Sequence, residues 1–141
     1  MATRRRRRRA AFTLMEILLV TAILVAMASM ATFAYVSIMR NATARNARTE
    51  IGLLESACTA YYSSVNAFPQ TLRELQVMPQ GMDASTWGGP YIDVKKDLRD
   101  PWQTDYRYSI DETGLTVTIA SAGPDRSFNT ADDISNNATN Q

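Results

Sequence analysis

The sequence predicts an α+β protein: a long N-terminal helix, apolar in its first half and amphipathic in its second, packed on a small antiparallel β-sheet. Three observations predict it. From Ile17 to Met39 no residue is charged, and as a helix at ~1.5 Å per residue that run reaches roughly 35 Å, enough for a ~30 Å hydrocarbon core. From Ala47 to Val65, apolar or small residues recur in steps of three and four (Ala47, Ile51, Leu54, Cys58, Tyr61, Val65), the spacing of one helical stripe. Two later runs alternate apolar and polar residues with the period of a half-buried strand.

The chain opens on six consecutive arginines, Arg4 to Arg9. A basic run can be a nucleic-acid arm. Placed directly before an apolar span, it is better explained as the cytoplasmic flank that keeps positive charge inside, with the rest of the chain on the outer face of the membrane. Glu16 sits at the head of the span, and an ionised carboxylate costs roughly 2.5 kcal/mol or more toward a bilayer centre unless it snorkels or finds a partner. An ordinary secretory signal is the competing reading, because Ala26-Met27-Ala28 resembles an A-x-A cleavage site. Against it stand the acid in the apolar region and the continuation of apolar character to Met39.

The order of basic block, small residues, Phe12-Thr13-Leu14-Met15-Glu16 and apolar helix, matched from Arg4 to about Ala34, resembles the class III signal of type IV pilins and type II secretion pseudopilins. The resemblance implies a prepilin peptidase that cuts between Ala11 and Phe12 and methylates the new amine. Ala11 stands where the family usually has Gly. Glu16 becomes the fifth residue of the mature chain, and the resemblance implies that its carboxylate meets the Phe12 amine of a neighbouring copy during assembly. Opposite charges brought together in an apolar setting attract strongly, whereas either alone keeps an uncompensated desolvation cost.

Loss of residues 1–11 would leave nine Lys and Arg against fourteen Asp and Glu, a formal side-chain net of −5. Cys58 is the only cysteine, so no disulfide forms within one chain. Many type IV pilins close their C-terminal region with a disulfide, and this count favours the pseudopilin branch. The absence of histidine removes the commonest general base and zinc ligand.

One helix is expected from about Thr13 to Ser63, ended by Phe68-Pro69. Pilins and many pseudopilins carry a proline near the twenty-second mature position and often an earlier glycine; this chain has Phe33 and Val25 there. Thr71 to Val77 reads as a short amphipathic turn or helix with Leu72 and Leu75 inward, and Pro79 to Pro90 as loop. Trp87-Gly88-Gly89-Pro90-Tyr91 followed by Asp100-Pro101-Trp102 resembles the corresponding segments of major pseudopilins, with Gln103 where Gly is usual. Without the resemblance, these aromatics read as filling of a small core.

Tyr106, Tyr108 and Ile110 alternate with polar residues, as do Leu115, Val117 and Ile119, around Asp111-Glu112-Thr113-Gly114. This predicts a β-hairpin whose apolar face covers the helical stripe. Ser135 to Gln141 reads as a mobile polar tail.

Between hairpin and tail, Asp125, Asp132 and Asp133 lie in one loop without nitrogen or sulfur ligands nearby. An all-oxygen set suits a hard cation such as calcium. The loop is not an EF-hand, since Thr130 replaces the required Gly and Asn136 the closing Glu. It does resemble the calcium loop of major pseudopilins, Gly-Pro-Asp-Gly followed by Asp-Asp-Ile. The resemblance implies side-chain ligands from Asp125, Asp132 and Asp133 and carbonyl ligands from Ala122 and Ser127, with Arg126 where Gly is usual. A solvated acidic loop with Asp133 as a cap is the alternative.

These readings divide the chain into a cleaved leader (1–11), a membrane and filament-core helix (12–39), the amphipathic half of that helix (40–65), a periplasmic α+β domain with its calcium loop (66–134) and a tail (135–141). The fold implied is that of a pseudopilin. The function implied is a structural subunit that leaves the inner membrane to form a homo-oligomeric periplasmic filament, working with prepilin peptidase, minor pseudopilins and an inner-membrane assembly platform. It would drive protein secretion across the outer membrane, without nucleic acid. A type IV pilin for attachment, motility or DNA uptake is the alternative. A membrane-tethered hydrolase built on the three aspartates would lack histidine and any nucleophile–base pair.

Overall fold

A 52-residue helix, α1, spans Leu14–Val65 in the computed structural model, which describes residues 13–137. Ala11 and Phe12, the expected processing pair, lie outside the described residues. The chain divides into two units, residues 1–40 and 41–141.

In the first unit the helix begins on a Thr-x-x-Glu pattern. The Thr13 hydroxyl accepts from the Glu16 amide at 3.2 Å, satisfying one of the amide donors that a helix start leaves unpaired. Every described residue up to Arg40 is exposed, and the helix is long and apolar enough to cross a membrane, with a mean hydropathy of 2.3 over its most apolar window. The hydroxyls of Thr21, Ser29 and Thr32 donate to carbonyls of the preceding turn at 2.9 to 3.0 Å. These three hydroxyls are therefore satisfied within the helix, as lipid requires.

In the second unit the expected stripe is the core. Ala47, Ile51, Leu54, Cys58 and Tyr61 are buried, Ala57 joins them, and Val65 is half-buried. The helix ends before the expected Phe68-Pro69 stop: Asn66 takes a left-handed φ of 59° and its amide closes on the Tyr62 carbonyl at 2.7 Å. An αL residue terminates a helix without needing a proline. A 3-10 turn, Leu72–Leu75, buries both leucines. The expected 79–90 loop contains one helical turn, α2, Ala84–Trp87. Asp83 caps it by accepting from the Ser85 amide at 2.9 Å, and Gly88 ends it in a left-handed conformation. The residues that mark a loop in sequence here serve as caps.

Three antiparallel strands follow in the order β1-β2-β3: β1 Arg107–Ile110, β2 Val117–Ser121 and β3 Ile134–Ser135. The expected hairpin is β1 and β2, with Ile110 opposite Val117 and Arg107 opposite Ala120. Leu115 departs from expectation: it is 68% exposed. The Asp111 carboxylate accepts the Leu115 and Thr116 amides at 3.0 Å each, which holds both residues in the turn and starts the strand at Val117.

The expected 135–141 tail needs correction at residues 135 and 136, while 138–141 lie outside the described residues. Ser135 belongs to β3, opposite Ala120. Beyond it, the Asn136 side chain accepts from the Ile119 amide and donates to the Val117 carbonyl, each at 2.9 Å. A two-residue strand carries no period for a sequence pattern to reveal.

Tyr106, Val117, Ile119 and Ile134 close the core over the lower half of α1. Polar ties fasten it: the Tyr106 hydroxyl donates to Glu50 at 2.7 Å, Asn136 donates to Glu55 at 2.9 Å, and the Tyr108 hydroxyl donates to the Pro69 carbonyl at 2.7 Å. The aromatics are core filling that also satisfies its polar atoms. Trp87 Nε1 donates to the Glu74 carbonyl at 3.1 Å, the Tyr91 hydroxyl donates to the Trp87 carbonyl, and the Tyr61 and Tyr91 rings lie 5.4 Å apart.

Cys58 is fully enclosed. Burial pushes its thiol up to about 12, and a thiol so held is a poor nucleophile. The unfolded thiol ionises near its ordinary value of 9.0. The stability linked to its burial is therefore complete below that pH and is lost as pH rises from there toward 12. Tyr106 and Tyr108, raised chiefly by burial, act in the same direction. Native protein should resist thiol reagents at pH 8, and its urea midpoint should fall between pH 8 and 11; rapid native labelling would contradict this burial.

Candidate functional site

The acidic loop is the connection between β2 and β3, so its two stems are paired strands: Ser121 lies opposite Ile134. Antiparallel pairing brings Ala122 and Asp133 to the same end of the sheet. Ala122 and Gly123 are buried, and Gly123, at φ +69°, packs against the Asp132 carbonyl so closely that an added Cβ would overlap it. The loop is cinched at its base.

Above the base, the three aspartates accept backbone amides. Asp125 accepts from Ser127 at 2.8 Å, Asp132 from Asp125 at 3.2 Å, and Asp133 from Asn129 at 2.8 Å. The Thr130 hydroxyl joins the last two: it lies 2.6 Å from Asp132, 3.4 Å from Asp133 and 3.0 Å from the Ser127 carbonyl. Its hydrogen bond holds the Asp132 carboxyl below the usual carboxylate range. No sequence signal marks Thr130, which stands where an EF-hand has glycine.

The structure thus links Asp132 to Asp133 through Thr130 and joins Asp125 to them through its backbone. Among the described residues, no three His, Cys, Asp or Glu side chains converge as a metal-holding group. The donors that the loop offers are oxygens: three carboxylates with unused lone pairs, the Ser127 carbonyl and the buried Ala122. That set fits a hard cation in kind, and Asp132 is held in the ionised form a ligand needs.

Two positions expected to be glycine keep glycine-like backbones. Arg126 has φ 58° and Gln103 φ 69°, a conformation that costs a non-glycine residue roughly 1–2 kcal/mol. The loop is also pinned from outside. Arg107 of β1 stacks over the Phe128 ring at 3.9 Å and donates to Asn129 at 3.1 Å, so the turn after Arg126 is held from β1.

The second candidate site is the head of α1. Glu16 lies in its first turn, where the helix dipole favours an anion, and it is exposed together with the apolar residues that follow.

The chain resembles one family model and several known proteins. The family model described as Type II secretion system (T2SS), protein G, matches residues 34–137. The chain is 30% identical to the type II secretion system core protein G of Pectobacterium carotovorum subsp. carotovorum, over 92% of this chain and 85% of that protein. It is 29% identical to the protein of that name from Aeromonas hydrophila, over 93% and 94%. Among solved structures it is similar to the major pseudopilin from the type 2 secretion system of enterohaemorrhagic Escherichia coli, with 30% identity and a TM-score of 0.55 over 72% of this chain and 91% of that one.

Proposed function

Because this chain belongs to the type II secretion system protein G family, we infer that it is a structural subunit of a pseudopilus serving type II secretion, and not an enzyme. The observation that carries the inference is the pairing of an exposed, membrane-length apolar helix with a small α+β domain matched by that family. The helix anchors the subunit in a membrane. A helix apolar on all sides is stable only in lipid or against other apolar helices, so leaving the bilayer requires other copies to cover it.

The finer steps are proposals. Prepilin peptidase cuts between Ala11 and Phe12 on the cytoplasmic side and methylates Phe12. The domain lies in the periplasm, and copies add at the base of a filament on an inner-membrane platform, beside minor pseudopilins. Glu16 of the incoming copy pairs with the Phe12 amine of a neighbour. Supporting this reading are the arginine block before the span and the single acid at its head. The test is the intact mass of protein recovered from membranes. Loss of residues 1–11 plus one methyl group is expected, and a full-length mass in cells with active peptidase overturns the processing step.

We assign calcium to the acidic loop, held by Asp125, Asp132 and Asp133 with the carbonyls of Ala122 and Ser127. Bound there, the ion would supply charge neutralisation between the two stems. The residues' own part is to hold the loop shut at its base, where Gly123 meets Asp132, and to keep the Asp132 carboxylate ionised. Binding to the folded form alone stabilises it by about 2.7 kcal/mol at a hundredfold excess over Kd. Chelation should therefore lower the melting temperature, and identical melts with calcium and with chelator remove the metal from the account.

A further inference from the structure

We propose that Asp100 is a positioning residue for the acidic loop, acting through the Ser121 hydroxyl on the Gly123 amide. Asp100 is 1% exposed, and burying a carboxylate is costly unless hydrogen bonds compensate it. One of its oxygens accepts the Trp102 and Thr104 amides at 3.0 and 2.8 Å, which closes its own turn. That turn is closed a second time by backbone bonds between Asp100 and Thr104 and between Gln103 and Asp100. The other oxygen leaves the turn and accepts the Ser121 hydroxyl at 2.5 Å.

Ser121 is the last residue of β2 and has no exposed surface. A hydroxyl has one proton and two lone pairs. With the proton committed to Asp100, the oxygen is an acceptor on its remaining side, and there it receives the Gly123 amide at 3.1 Å. Gly123 in turn sits against Asp132. Contacts therefore run from a carboxylate in the 100–104 turn to an expected metal ligand that is remote in sequence. A charged acceptor polarises the hydroxyl and strengthens the bond it accepts. Asparagine at 100 would keep the turn amides satisfied but lose that charge, and its amide would face Ser121 as a donor.

The effect on metal rests on the calcium reading above; the effect on Gly123 does not. The test uses the whole protein as recovered from membranes into detergent micelles, parent and the variants Asp100→Asn, Ser121→Ala and the exposed control Asp97→Asn. Hydrogen exchange is read at Gly123, with Ile119 and Thr104 as references, and melting is followed across a titration with calcium chloride alone. Asp100→Asn and Ser121→Ala should each speed Gly123 exchange about tenfold while Ile119 stays protected, and raise the calcium concentration for half-maximal stabilisation about tenfold. Asp97→Asn should change neither. Should Asp100→Asn fail to fold, Ser121→Ala decides, because it leaves the 100–104 turn intact. Parent-like exchange at Gly123 in Ser121→Ala overturns the proposal, as does loss of protection spread evenly over the sheet. A parent that ignores calcium ends the metal reading while the exchange result still decides the relay.

Discussion

Chains carrying Glu16→Ala as the sole copy are expected to reach the membrane, be processed and then fail to assemble, with filament yield and secretion falling to a tenth of the parent or less. The span runs uncharged from Ile17 to Met39, so Glu16 is the acid at its head, and the freed Phe12 amine of another copy is its proposed partner. Removing one member of an ion pair in apolar surroundings leaves the other uncompensated, at a cost of about 3–5 kcal/mol. Helix formation should survive, because the bond made by the Thr13 hydroxyl goes to the backbone amide of residue 16. Loss of the favourable dipole interaction alone is worth only about 0.3–1 kcal/mol, too little for such a defect. Glu16→Gln separates the two: it keeps size and polarity, and should still fail. Sheared filaments at parental yield from either variant would sink the pairing.

Gly123→Ala should lower the melting temperature of the calcium-free protein by roughly 8–32 °C, taking about 2–4 kcal/mol of destabilisation and about 4–8 °C per kcal/mol for a domain of this size. Two effects add. Gly123 has φ +69°, and its added Cβ would overlap the Asp132 backbone carbonyl while standing 3.0 Å from the Asp132 carboxylate. The obstacle is backbone anchored by β3, so it has little room to give. Gly52→Ala is the opposing control: nothing lies within 4 Å of its added Cβ, it sits inside α1, and alanine there should stabilise by about 0.5–1 kcal/mol. Equal melting temperatures for Gly123→Ala and parent would show that the loop base is not cinched as described.

Most of the helix and both long strands were legible in the sequence, because each is announced by a local period. The stripe from Ala47 to Tyr61 appears in the core as written, and Tyr106, Val117 and Ile119 close over it. Leu115 misled because period two was continued through a turn that Asp111 had already claimed. Asn136 misled in the opposite direction: a polar side chain stood in for backbone and extended the sheet into what reads as tail. At the loop, residue types pointed to a hard cation. The contacts that set the shape of the loop came from Thr130, Arg107 and Ser121, none of which a motif singles out.

The sequence by itself determined the long apolar run with one acid at its head, the single buried thiol and the oxygen-only character of the loop, since these depend on residue identity and near-neighbour spacing. Tertiary structure alone decided that Ile134 and Ser135 form a third strand, that Asp100 turns inward to Ser121, and that Gly123 meets Asp132. Each of those joins residues far apart in the chain, and no local propensity encodes a contact whose second partner arrives only when the sheet has closed.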